Sequence, residues 1–61
     1  MKRQDLIKHL RRHGCVLARE GSDHSIWENP ANGRRTAVLR HREILNTTAR
    51  AICRQLGIPD P

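Results

Sequence analysis

A histidine that follows small, turn-forming residues is the first candidate for chemistry in this 61-residue chain. The segment Gly21-Ser22-Asp23-His24 leads out of a loop and into a predicted strand. The unperturbed pKa of histidine is about 6.5, so His24 can donate or accept a proton at neutral pH. Such a transfer accelerates a reaction by about 10²–10⁴-fold. An ordinary surface position at the start of a strand is the plainer alternative for His24.

The charge around this histidine favours a polyanionic partner. Lys and Arg number 12 against 6 Asp and Glu, which gives a formal net charge of +6 and a pI of about 11.1. Ten of the twelve cations are Arg, whose planar guanidinium suits bidentate contact with phosphate. Nucleic acid is therefore the first candidate partner, an acidic protein the second and an anionic membrane the third.

RNA suits this set of residues because it carries its own nucleophile, the ribose 2′-OH. Cleavage needs a base for that proton, an acid for the leaving 5′ oxygen and cations for the charge on phosphorus. His24 can act as the general acid or base, and arginines can stabilise the charge without a metal. No cofactor is expected, because so small a core cannot enclose one. The residues expected to contact RNA are Lys8, Arg11, Arg12, Ser22, Arg34, Arg35, Arg40 and His41.

Metal, disulfide and membrane chemistry are not expected. His9 and His13 have the spacing of two zinc ligands on a helix, but neighbouring arginines would repel a cation and the Glu of a metalloprotease motif is missing. Cys15 and Cys53 lack CxxC spacing, and no secretory signal is evident, so reduced, buried thiols in a cytoplasmic protein are expected. No apolar run approaches the ~20 residues that cross a bilayer.

Two helices are predicted, one at each end of the chain. The first covers residues 3–13, with an apolar stripe that includes Leu6 and Leu10, and Gly14 ends it in a left-handed conformation. The second begins at a cap formed by Asn46 or Thr47 and runs to about Leu56, where Gly57 and Pro59 stop it. Its buried face is expected to comprise Ala49, Ile52, Cys53 and Leu56.

Three strands are predicted between these helices. Residues 15–19 form an apolar run suited to a central or half-buried strand, and residues 24–29 and 34–39 form a hairpin around the Asn-Gly turn at 30–33. Ile26 and Trp27 must point to opposite faces, and the sequence does not decide which one is in the core. Trp27 either packs on the sheet or stacks on an RNA base.

The predicted order is therefore α-β-β-β-α in one domain over residues 1–61. We expect an α+β fold with a three-stranded antiparallel sheet and both helices on one face. The opposite face, or the rim where loops meet, is then left for a ligand.

The chain resembles the HicA toxin family of bacterial toxin–antitoxin modules over nearly its whole length. The similarity rests on the order and spacing of five pieces in a frame of about sixty residues. They are the first helix with Gly14 at its end, Gly21-Ser22-Asp23-His24, Gly33-Arg34-Arg35, Arg40-His41 and Ile52-Cys53-Arg54-Gln55-Leu56-Gly57-Ile58.

This resemblance implies a fold like the double-stranded-RNA-binding domain and a messenger-RNA endoribonuclease that a HicB-type antitoxin neutralises. The catalytic histidine of the family follows a Gly-Ser pair, a position that corresponds to His24. The chain departs from the family at Leu39, where proline is common before the Arg-His pair. His41 is the second candidate for proton transfer, or else an antitoxin contact.

Two other functions compete with RNA cleavage. A non-catalytic RNA-binding module would use the same basic surface, bind in a salt-dependent way and leave RNA intact. A small interaction domain would instead bind an acidic protein. A DNA-binding helix-turn-helix is disfavoured, because three strands rather than a short turn separate the two helices.

Overall fold

The computed structural model describes residues 1–61 and confirms the predicted order of elements. The strands form one antiparallel sheet in the order β1-β2-β3, and both helices lie on one face of it, as in the double-stranded-RNA-binding-domain-like α+β fold. The elements are α1 (Arg3–Arg12), β1 (Val16–Glu20), β2 (His24–Asn29), β3 (Arg34–Leu39) and α2 (Asn46–Leu56).

Helix α1 packs through its apolar stripe and ends at a glycine. Leu6 and Leu10 are fully buried in the core. Beyond the helix, Gly14 has a φ of 84°, and the amide of Cys15 donates to the Leu10 carbonyl at 3.0 Å. This bond satisfies a carbonyl that the helix leaves free and turns the chain directly into β1.

Helix α2 begins at Asn46, which is earlier than either proposed cap allows. Leu45 holds the N-cap position without a side-chain hydrogen bond, so the prediction that Asn46 or Thr47 caps the helix is wrong. At the other end, Gly57 is left-handed with a φ of 71°, and the Ile58 amide donates to the Cys53 carbonyl at 3.0 Å. The four residues predicted for the buried face of α2 are all buried: Ala49, Ile52, Cys53 and Leu56.

Strands β2 and β3 separate the two faces of the sheet. Because side chains alternate along a strand, every second residue faces the helices. The buried residues that face the helices are Ser25, Trp27, Asn29, Thr36 and Val38. The pairs on the other face, which no element covers and which we call the open face, are His24–Leu39, Ile26–Ala37 and Glu28–Arg35.

This alternation decides the question about the tryptophan. Trp27 lies in the core and is 2% exposed, so its ring is not available to stack on an RNA base. Ile26 lies on the open face. The guanidinium carbon of Arg11 on α1 lies 5.5 Å from the Trp27 ring centroid, a cation–π arrangement.

Strand β1 is an edge strand, and all five of its residues are exposed. The prediction of a central or half-buried strand at residues 15–19 is therefore wrong. Strand β2 takes the central place because it pairs with both neighbours, while Val16 and Leu17 remain 49% and 43% exposed. An apolar run alone does not distinguish these two positions in a sheet.

Candidate functional site

The loop that carries His24 is closed by its own backbone. The amide of Gly21 donates to the carbonyl of His24 at 2.8 Å. A Cβ atom at Gly21 would lie 2.9 Å from that oxygen, so glycine allows the close approach. The amide of Arg40 donates to the Asp23 carbonyl at 3.3 Å, which joins the loop to the segment after β3.

His24 lines a shallow pocket of about 470 Å³ on the open face. The imidazole is exposed, and its ring nitrogens make no hydrogen bond within the chain. A ligand in this pocket can therefore reach a histidine that can exchange a proton with it. The pocket is lined by Arg19, Gly21, Ser22, Asp23, His24, Ile26 and Ala37.

On the helix side of the sheet, a network of polar side chains connects the two ends of this loop. Ser25, which is buried, donates to the Glu20 carboxylate at 2.5 Å and accepts a hydrogen bond from Arg3 at 3.1 Å. Arg3 also donates from Nε to the Leu39 carbonyl at 2.9 Å. The hydrogen bond from Ser25, together with the charge of Arg40, lowers the pKa of Glu20.

Arg34, Arg35 and Arg40, three of the residues expected to contact RNA, do not direct their guanidinium groups to the His24 pocket. The Arg40 guanidinium forms an ion pair with Glu20, whose carboxylate also contacts the buried Ser25. Arg35 Nε lies 2.5 Å from Glu28, near the end of the hairpin opposite to His24. Glu28 and His24 are four residues apart along β2, which is roughly 13 Å of strand.

Arg34 lies at that far end as well. It pairs with Asn29 in the sheet, and its guanidinium donates to the Arg54 carbonyl at 3.4 Å. Arg34 and Arg35 therefore both lie at the end of the hairpin distant from His24.

The cations of α1 lie on the opposite face of the sheet from His24. Lys8, Arg11 and Arg12 are exposed on the helix, and Arg11 is directed to the Trp27 ring. His41 is exposed in the segment between β3 and α2. Among the eight residues expected to contact RNA, only Ser22 lines the same pocket as His24.

The structure instead places Arg19 in this pocket, a residue that the sequence did not single out. Arg19 pairs with Ile26 across β1 and β2, and the register shifts between Leu17 and Arg19. Regular alternation from Leu17 would turn Arg19 to the helix side, whereas the bulge turns it to the open face. The charge of Arg19 was visible in the sequence, but the bulge was not.

No group of three or more His, Cys, Asp or Glu side chains in the structure is arranged to hold a metal ion. The rings of His9 and His13 lie 4.6 Å apart, and His9 Nε2 lies 2.8 Å from the Pro59 carbonyl oxygen. Cys15 and Cys53 are free and buried, and burial raises the pKa of both thiols. Neither helix is long and apolar enough to cross a membrane.

Comparison with protein families identifies a match over nearly the whole chain. The family model described as HicA toxin of bacterial toxin-antitoxin matches residues 3–58. This range begins at the first residue of α1, includes all three strands and ends two residues after α2. No curated protein and no solved structure matches the chain significantly.

Proposed function

Because the chain belongs to the HicA toxin family, the toxins of bacterial toxin–antitoxin modules, we propose that it is an endoribonuclease that cleaves messenger RNA. His24 acts as the general acid or base of this reaction. The observation that carries the proposal is the exposed imidazole of His24, free of partners within the chain, at a pocket on the open face. Messenger RNA as substrate implies action in the cytoplasm.

The chemistry follows from the groups that RNA and His24 supply. As a base, His24 takes the proton of a 2′-OH, whose oxygen attacks the adjacent phosphorus while the bond from phosphorus to the 5′ oxygen breaks. As an acid, His24 instead protonates that departing 5′ oxygen. In this scheme a side chain of the protein carries out the proton transfer, so the proposed cleavage requires no metal ion. One histidine for two proton transfers implies modest turnover.

The test is incubation of the purified protein with single-stranded RNA in the presence of a chelator. We expect wild type to cut RNA and His24→Ala to leave it intact, with unchanged far-UV circular dichroism. His13→Ala is the matched control, because His13 is an exposed histidine at the C-cap of α1, away from the pocket. Cleavage by His24→Ala at the wild-type rate, or cleavage only without the chelator, would contradict the proposed mechanism.

The partner of a toxin from this family is an antitoxin. We expect a HicB-type protein that binds this basic chain, of net charge +6, and blocks RNA cleavage. Co-expression with the product of the adjacent gene, followed by purification through a tag on one protein, should recover both. Recovery of the toxin alone under these conditions would count against this partner.

A second function, RNA binding without cleavage, is supported by a different observation. Lys8, Arg11 and Arg12 form an exposed basic surface on α1 that lies apart from His24. A binding module with this surface would retain RNA at low salt and lose it steeply as salt rises. The chelator experiment separates the two functions, because a metal-independent nuclease cuts RNA under these conditions and a binding module leaves it intact.

A further inference from the structure

A bulge in the edge strand brings a positively charged side chain beside His24. The pairing of β1 with β2 runs Val16–Glu28, Leu17–Trp27 and then Arg19–Ile26, so Ala18 is the extra residue. After this bulge, Arg19 shares the open face with Ile26. Bulges often occur beside active sites, where they redirect a side chain.

From this arrangement we propose that Arg19 contacts the phosphate that His24 acts on and that the adjacent nucleobase lies on Ile26 and Ala37. This inference rests on the proposed function and names the substrate of that pocket: one unpaired nucleotide of an RNA strand. Arg19 is then a catalytic residue, because its guanidinium touches the reacting group.

The distance between Arg19 and His24 fits a phosphate between them. Arg19 lies opposite Ile26, and His24 is two residues from Ile26 on the same face of β2. Diagonal neighbours of this kind lie roughly 7–8 Å apart, with their β-carbons somewhat closer. A long arginine side chain and an imidazole can converge on one phosphate across this gap, so that Arg19 stabilises the charge that forms as His24 transfers a proton.

Two of the other arginines in or beside this sheet are engaged in ion pairs. Arg40 is bound to Glu20, and Arg35 is bound to Glu28 near the far end of the hairpin. Arg19 takes part in none of the ion pairs of the structure, and it is the single cation that lines the pocket of His24. A phosphate that binds Arg19 therefore displaces no carboxylate of the chain.

The floor of the pocket suits a flat apolar group. Ile26 is at the centre of a row that crosses the sheet, between Arg19 on β1 and Ala37 on β3. The small side chain of Ala37 leaves space above the sheet, and Ile26 offers an aliphatic surface for one face of a base. Asp23 also lines the pocket, and its carboxylate would repel a phosphate, so the positive charge of Arg19 is needed to offset it.

The experiment measures kcat and KM for cleavage of a short single-stranded RNA by Arg19→Ala and Arg19→Lys. We expect kcat of Arg19→Ala to fall about 10²–10³-fold, as when one group that stabilises the transition state is removed. Arg19→Lys should recover part of this loss, because it keeps the charge without the planar fork. Arg50→Ala on α2, which removes an exposed arginine away from the pocket, is the control and should cut like wild type.

A second variant tests the floor without touching either proposed catalytic residue. Ala37→Phe fills the space above Ile26, so kcat/KM should fall at least about tenfold while the far-UV circular dichroism stays unchanged. An Arg19→Ala kcat within about threefold of wild type would overturn the role of Arg19, provided that His24→Ala is inactive in the same assay. If wild type itself leaves RNA intact, the proposed function and this inference both fail.

Discussion

Ser25 donates a 2.5 Å hydrogen bond to Glu20, and this contact joins the two ends of the loop that presents His24. Ser25 is the first buried residue of β2, and Glu20 is the last residue of β1. The same carboxylate holds Arg40, so one acidic side chain connects the loop to the segment after β3. The position of His24 therefore depends on a charge that lies outside its pocket.

This network predicts a specific loss of stability in acid. The pKa of Glu20 is lowered from 4.5 in the folded state, so its contribution to the free energy of unfolding is complete above 4.5 and is lost as pH falls through the lowered pKa. Glu20→Gln should remove this part of the pH dependence. Urea unfolding at neutral pH and at several pH values below 4.5 measures how the free energy of unfolding depends on pH. Glu43→Gln, also exposed, is the control, and an unchanged acid dependence in Glu20→Gln would contradict the prediction.

Two glycines at helix ends should differ in their tolerance of alanine. Gly14 and Gly57 both have positive φ, so alanine at either site costs about 1–2 kcal/mol. At Gly57 the new Cβ would also lie 2.7 Å from Asn32 Nδ2, which donates to the Leu56 carbonyl at 3.0 Å, whereas nothing lies within 4 Å at Gly14. Gly57→Ala should therefore cost about 1 kcal/mol more. Chemical denaturation of both variants tests this, and equal losses would show that Asn32 moves aside freely.

Because the core is small, truncation of a single buried leucine should remove much of the folding stability. Leu10 is fully buried, and Leu10→Ala is expected to cost about 2–5 kcal/mol. A chain of this length has a total stability of roughly 3–9 kcal/mol, so the variant should be partly or wholly unfolded. Leu45→Ala is the matched control, because Leu45 is 75% exposed and its loss should change stability by less than about 0.5 kcal/mol. Thermal unfolding followed by circular dichroism compares them, and a cooperative transition near that of wild type in Leu10→Ala would be contrary to expectation.

The two cysteines should be inert while the protein is folded. Cys15 is 3% exposed and Cys53 is fully buried, and burial raises the pKa of both thiols, so the reactive thiolate is disfavoured at neutral pH. We expect slow alkylation by iodoacetamide in buffer and rapid alkylation of both in denaturant. Mass spectrometry counts the modified residues. Rapid modification of either cysteine in the folded protein would contradict the burial described above.

The basic surface of α1 should affect RNA binding rather than the chemical step. Replacing Lys8, Arg11 and Arg12 with glutamine should raise KM. It should also make the RNA-binding constant less sensitive to salt: the slope of its logarithm against log salt should become shallower by up to about 2, because each phosphate contact with a single strand contributes about 0.7. The kcat should be retained, because α1 and the His24 pocket lie on opposite faces of the sheet. Arg50→Gln is the single-charge control. A fall in kcat comparable to that of His24→Ala would place these cations at the reacting group.

Local patterns in the sequence were enough to predict the elements and their order. The apolar spacing around Leu6 and Leu10 and the glycines at 14 and 57 define the helices, because periodicity and left-handed caps are local properties. The hairpin of residues 24–29 and 34–39 was likewise evident from its turn. The position of β1 at the sheet edge was not, because exposure of a strand depends on which elements lie beside it.

The sequence by itself determined the fold class, the positive charge and the candidate histidine, since each is set by residue types and short spacings. Only the tertiary structure decided that Trp27 is buried, that Arg40 is bound to Glu20 and that Arg34 and Arg35 lie far along the hairpin from His24. It also placed Arg19 beside His24, because a single extra residue in β1 reverses the face of the side chains that follow it.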